Sequence, residues 1–194
     1  MFSLSDILHP LNVIGRKPIT GYITILRYSQ QTEHSIQLDC SGQITIRSIY
    51  NGHPVVATYS DLSMEYVDVS ADLNTDITII GNLTGLAAND YYDGLVYYWS
   101  DNAALTWLNV DHCFRLSSLD ISRNTALTFL SCDGCYGLTE IKYPATNSSV
   151  STSIANAITN AAAADGTVYT DSDGAYYNTI ATAAIAKGWT IAQL

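Results

Sequence analysis

Leu105-Thr106-Trp107-Leu108-Asn109-Val110-Asp111-His112-Cys113 opens a stretch whose spacing governs how the rest of the chain is read. Leu105, Leu116, Leu127 and Leu138 recur every eleven residues. Three positions after each stands a second apolar residue: Leu108, Leu119, Leu130 and Ile141. Two further on come Val110, Ile121, Cys132 and Tyr143, and three beyond those Cys113, Asn124, Cys135 and Thr146. The unit is L-x-x-L-x-(V/I/C)-x-x-(C/N), a leucine-rich pattern at half its usual period. Two such units make twenty-two residues, inside the range of leucine-rich repeats. Each unit carries one short strand whose side chains alternate in and out. Leu108 and Val110 are therefore expected to point inward and Trp107 and Asn109 outward.

The pattern decays towards the N-terminus. Val67-Asp68-Val69, Ile77-Thr78-Ile79, Leu86-Ala87-Ala88 and Tyr97-Tyr98-Trp99 occupy similar strand-like slots. The expected fold is an α/β repeat: a leucine-rich β-solenoid over 61–144, of three to four coils with parallel strands. An N-terminal β region, a cap or docking module, covers 1–60, and an α/β cap covers 145–194. In the first of these, Gly21 to Tyr28, Ser35–Leu38 and Gln43–Ile49 read as strands, with turns at Asp39-Cys40-Ser41-Gly42 and Asn51-Gly52-His53-Pro54.

Beyond Pro144 the composition turns to Ala, Ser and Thr. Ser148 or Ser149 is placed to cap a helix that buries Val150, Ile154, Ala157, Ile158 and Ala161 and ends at Asp165-Gly166. Thr167-Val168-Tyr169 reads as a strand. A second helix, about Ala175 to Lys187, turns Tyr177, Ile180, Ala184 and Ile185 inward and stops at Gly188, and Trp189-Thr190-Ile191 closes as a strand. Asp171-Ser172-Asp173-Gly174 has the opening of a calcium loop, but Thr182 stands where the late glutamate of such a loop belongs, so a plain turn is the reading.

Four cysteines, Cys40, Cys113, Cys132 and Cys135, invite a metal or disulfide reading. His112, Cys113, Cys132 and Cys135 include a C-x-x-C with zinc spacing. The repeat accounts for three of the thiols without a metal. Cys113 and Cys135 share a slot with Asn124, where a small polar side chain bonds the turning backbone, and Cys132 fills an inward apolar slot. Structural thiols are the favoured reading, a Cys113–Cys135 disulfide staying open. No cofactor is expected.

Nearly half the chain is apolar and 13% is charged, with 18 acidic against 8 basic residues and a formal charge of -10. Nucleic acid is disfavoured, since phosphate binding needs clustered Lys and Arg. No apolar run approaches the roughly 18 residues of a membrane span. The opening Met1-Phe2-Ser3-Leu4-Ser5-Asp6-Ile7-Leu8-His9-Pro10 lacks the charged and apolar regions of a secretory signal. The expectation is a chain that reaches its destination by another route, such as a virion component released by lysis.

Catalytic residue types are present at His34, Asp39 and Cys40 and at Asp111-His112-Cys113, but none sits in a recognisable nucleophile motif or acid/base pair. His9 and His53 each precede a proline and read as loop residues. The chain is therefore not expected to be an enzyme. Trp107 and Phe129, twenty-two residues apart, are expected to stack on one outer face as an interface, with Tyr98 a further interface candidate. Tyr91, Tyr92, Tyr97, Tyr98 and Trp99 are possible sugar-stacking platforms, core filling being the preferred reading.

Leu119-Asp120-Ile121-Ser122-x-Asn124 and Asn124-Thr125-Ala126-Leu127-Thr128-x-Leu130-x-Cys132 resemble the BspA-type leucine-rich repeats of gut bacteria. Thr75-Asp76-Ile77-Thr78-Ile79-Ile80-Gly81-Asn82-Leu83 resembles the segment that precedes such repeats. Ser149-Val150, Gly166-Thr167-Val168 and Lys187-Gly188-Trp189-Thr190-Ile191 resemble a tail on short leucine-rich proteins encoded by bacteriophages. The resemblance covers Met64 to Leu194 and leaves the first third unmatched. Cys113 and Cys135 stand where that family commonly has Asn. It implies a virion structural protein: a head fibre, decoration or tail-associated subunit, homo-oligomeric and in contact with other virion or surface proteins. The alternative is an adhesin at the cell surface that binds a host glycan or protein. Neither implies catalytic residues or membrane insertion.

Overall fold

The computed structural model describes residues 23–29, 32–88 and 95–194. The chain folds into two mixed sheets packed on a shared core. The described strands are β1 (Ile23–Tyr28), β2 (Thr32–Cys40), β3 (Gln43–Tyr50), β4 (His53–Ser60), β5 (Glu65–Ala71), β6 (Asp76–Ile80), β7 (Leu83–Ala87), β8 (Leu95–Ser100), β9 (Trp107–Asn109), β10 (Ser118–Asp120), β11 (Phe129–Ser131), β12 (Glu140–Lys142), β13 (Thr167–Thr170) and β14 (Thr190–Gln193). Two helices, α1 (Ser148–Asn160) and α2 (Tyr177–Lys187), follow β12 and β13. Nine strands form the large sheet in the order β14-β13-β12-β10-β8-β1-β6-β3-β4, and five form the small one in the order β11-β9-β7-β2-β5.

This architecture overturns the expected α/β repeat. The chain is mostly β and sandwich-like, and no solenoid forms. The reason lies in what a repeat constrains. An eleven-residue period specifies which side chains face inward, but not which strands become neighbours. Successive units go to opposite sheets, β9 and β11 to the small one and β10 and β12 to the large one. Both sheets are then widened by antiparallel strands drawn from 23–87. Val67-Asp68-Val69 and Ile77-Thr78-Ile79, expected as parallel members of the repeat, lie in the antiparallel pairs β2–β5 and β1–β6. Pairing changes from antiparallel to parallel at β7 in the small sheet and at β8 in the large one.

The core is continuous across both parts, running from Leu26 through Leu86, Leu108, Leu119, Leu130 and Ile141 to Trp189. Leu105, Leu116, Leu127 and Leu138 are all buried, as the leucine period requires. In the first third, the turn read at Asn51 to Pro54 is shorter than expected. Asn51 and Gly52 alone make it, with φ of 52° and 74°. A two-residue turn of this hand matches strand twist, and His53 and Pro54 already belong to β4. Gly21 and Tyr22, expected to begin the first strand, lie outside the described residues, as do His9 and the opening segment.

At the C-terminus α1 is capped not by Ser148 or Ser149 but by Asn147. Its extended backbone lets the side chain accept from the N–H groups of Ser149 at 2.9 Å and Val150 at 3.2 Å. The helix ends at Asn160, before Asp165-Gly166. Val150, Ile154, Ala157 and Ile158 are its buried face. In α2, Ile180, Ala181 and Ala184 are buried, whereas Ile185, expected inward, is 72% exposed. Gly188 ends the helix at φ 84°, a left-handed position that glycine occupies at no steric cost.

Candidate contact surface

In β7, β9 and β11 the register aligns Gly85 with Trp107 and Trp107 with Phe129, while Leu86, Leu108 and Leu130 align one position on. The leucines are buried. Alternation along a strand then turns Gly85, Trp107 and Phe129 to the outer face. The two rings stack with centroids 6.1 Å apart and planes 14° off parallel. Phe129 is 43% exposed and Trp107 half-buried. Gly85 makes this possible: a Cβ there would lie 3.3 Å from the Trp107 ring and 3.1 Å from Cβ of Asp39. Its missing side chain lets the indole lie over β7, beside a carboxylate from β2.

Polar groups frame the rings. Thr84 Oγ1 donates to Asp39 Oδ2 at 2.9 Å. Thr106 Oγ1 donates to the carbonyl of Thr84 at 3.0 Å, and Thr128 Oγ1 to that of Thr106 at 3.1 Å. Ser131 Oγ and the N–H of Asp133 both bond the carboxylate of Asp111, at 2.8 Å each. A second aromatic pair was missed in the sequence. Phe114 and Tyr136 stack at 5.8 Å and 10°, with His112 edge-on to Phe114 at 6.0 Å. Their signal was the same twenty-two-residue interval, one position after Cys113 and Cys135.

Tyr98, an expected interface residue, is corrected: it is fully buried. β8 turns Tyr98 inward in register with Leu26 and Leu119, so Tyr97 and Trp99 take the outer face. Burial pushes its phenol pKa up. On that outer face Arg27 lies 5.6 Å from the centre of the Tyr97 ring and is held by Asp76 at 2.7 Å. Lys142 lies 5.6 Å from the Tyr169 ring centre and pairs with Asp120 at 3.4 Å and Glu140 at 3.5 Å. Two of the aromatic rings on the large sheet are thus already faced by cations of the same chain. Tyr91 and Tyr92 lie outside the described residues.

Inside the fold, Cys113 Sγ donates to the carbonyl of Ala88 at 3.2 Å and Cys135 Sγ to that of Val110 at 3.0 Å. Asn124 Nδ2 donates to the carbonyl of Asn102 at 2.8 Å and to Ser100 Oγ at 3.1 Å. Two cysteines and an asparagine in one slot therefore each bond a backbone carbonyl from an earlier strand connection. All four cysteines are buried. Burial, before any neighbouring charge, raises the thiol pKa of Cys132 and Cys135. Among the described residues, no three of His, Cys, Asp and Glu are grouped so as to hold a metal ion, the set at His112, Cys113, Cys132 and Cys135 included. Asp171 accepts from Gln193 Nε2 at 3.1 Å, within a plain turn. Of the catalytic residue types, Cys40 is buried, Asp39 is engaged by Thr84, and the side chain of His34 lies outside the described residues.

Comparison with known proteins finds no family model, no curated protein and no solved structure that matches this chain.

Proposed function

We propose that this chain is a structural contact subunit working through protein–protein association, in a virion as a head fibre, decoration or tail-associated component. The observation that carries the contact reading is the Trp107–Phe129 stack, two large rings held outward in register on a rigid sheet. Large aromatic side chains fixed before binding lose little conformational freedom on association, which is why such residues anchor interfaces. The virion setting rests on the resemblance of the repeat and the tail.

A glycan-binding adhesin has less in its favour. Sugars stack on open ring faces, whereas Trp107 and Phe129 face each other and Tyr97 and Tyr169 face cations. Light scattering on the purified chain, beside a Trp107→Ser/Phe129→Ser variant, tests the contact reading. The expected result is a defined oligomer whose mass falls in the variant. An unchanged mass removes the aromatic stack as a self-assembly contact.

A further inference from the structure

A sandwich of two open sheets has four edges, and each edge strand offers unpaired backbone groups to another chain. Here three of the four are guarded. β11 lies under α1, whose Ser153 Oγ donates to the carbonyl of Leu130 at 2.7 Å. β5 carries Glu65 and Asp68, and its Ser70 carbonyl accepts from Ser48 of β3. β14 is only four residues long. β4 differs in length and in charge. It runs for eight residues, His53-Pro54-Val55-Val56-Ala57-Thr58-Tyr59-Ser60, and among the described residues pairs with β3 alone. It contains no Asp, Glu, Lys or Arg in a chain that carries 18 acidic residues. Val55 is 38% exposed and Val56 62%.

The hairpin register says which groups are open. Tyr50 and His53 flank a two-residue turn and so form a hydrogen-bonded pair. Alternation makes Ser48 with Val55, Ile46 with Ala57 and Ile44 with Tyr59 the other bonded pairs. The backbone groups of Pro54, Val56, Thr58 and Ser60 consequently point away from β3. Pro54, which has no N–H, occupies an open-side position, where a ladder loses nothing.

We infer that β4 pairs antiparallel with β4 of a second copy of this chain, about a two-fold axis at Thr58. That register sets Thr58 against its own counterpart and Val56 against Ser60 of the other copy, each pair exchanging two backbone bonds. Pro54 then falls beyond the paired residues, so no acceptor is left facing its missing donor. An axis at Ala57 would instead set Pro54 against Ser60 and orphan one carbonyl on each copy. Charge leaves this place open to a second copy. Two chains of formal charge -10 repel, and β4 is an edge where they meet without opposing carboxylates. Tyr59, packed on the core, comes beside Ala57 of the other copy and extends the apolar face across the seam.

The contact is independent of the Trp107–Phe129 stack and is tested separately. Thr58 is exposed and its side chain leaves the β3 pairing untouched, so Thr58→Lys and Thr58→Glu each retain the hairpin while setting like charges face to face at the axis. In low salt, light scattering of the Trp107→Ser/Phe129→Ser background should give a dimer. Adding either Thr58 substitution should halve its mass, and an equimolar mixture of the two should restore it. A monomeric background, an unchanged mass with Thr58→Lys, or a mixture that stays monomeric each overturns the inference. The aromatic stack stands or falls on its own variant.

Discussion

The two parts of this molecule solve strand pairing differently. From β8 onward, most partner strands are parallel and twenty-one to twenty-three residues apart, as in Trp107 with Phe129 and Leu119 with Ile141. Between β1 and β7 the partners are antiparallel, and their separation ranges from a two-residue hairpin to the fifty-odd residues between Leu26 and Ile77. In the parallel part each strand has the same environment as its neighbour, and its ends are covered by α1, α2 and β14. In the antiparallel part the edge strand, β4, is exposed along one face and half-buried only at Ala57 and Tyr59 on the other. A repeat writes its own register into the sequence; a set of hairpins leaves register to turns and to contacts far along the chain.

The difference should be largest in the core. Leu119 is fully buried on β10, in register with Tyr98 on one side and Ile141 on the other. Leu119→Ala should cost about 2–5 kcal/mol, the range for a buried leucine whose cavity is walled by rigid neighbours. Val55, 38% exposed on β4, can be truncated to Ala for under about 1 kcal/mol, since solvent already reaches it. Urea unfolding of both variants measures the gap. Equal losses would mean that the β4 end is as tightly packed as the parallel part.

Gly166 gives the next effect. A Cβ at this position would lie 2.4 Å from the Trp189 ring, whose Nε1 donates to the carbonyl of Ala163 at 2.9 Å. Gly166→Ala must push the indole away and strain that bond, at about 1–3 kcal/mol, the usual cost of overpacking. The thermal midpoint should fall and Trp fluorescence should shift to the red. A variant with unchanged midpoint and emission would show that Trp189 is not what fastens β13 and β14 together.

The same contrast explains what was legible in the sequence. The inward leucines, the buried cysteines and the Trp107–Phe129 alignment follow from one period, because the period alone says which side chains share a face. The fold class does not follow from it. Nothing in Leu105 to Tyr143 announces that β1, β3, β4 and β6 will join the same sheet, because those strands come together through pairings far along the chain. β4 was hidden by its first two residues: His53-Pro54 has turn composition, and only the open-side register of Pro54 reconciles it with a strand. Tyr98 was misplaced by one position, which in a strand exchanges the two faces entirely. Asn147 was overlooked because the two serines after it are equally good caps by composition, and only backbone conformation separates them.

The smallest effect concerns the threonines that immediately precede β9, β11 and β12. Thr106 Oγ1 bonds the carbonyl of Thr84, and Thr128 Oγ1 that of Thr106. Thr139 Oγ1 repeats the contact with Ser117 on the large sheet at 3.1 Å. All three lie at the surface, where water competes for the same carbonyls. Thr106→Val keeps the branched shape and removes one hydroxyl, so the loss should be about 0.5 kcal/mol, at the lower end for a hydrogen bond. Combining it with Thr128→Val decides whether the row acts as a unit. A doubled loss in urea unfolding would make each bond independent. A larger loss would mean that the row couples its strands, a form of support that antiparallel β4, at the sheet edge beside β3, does not share.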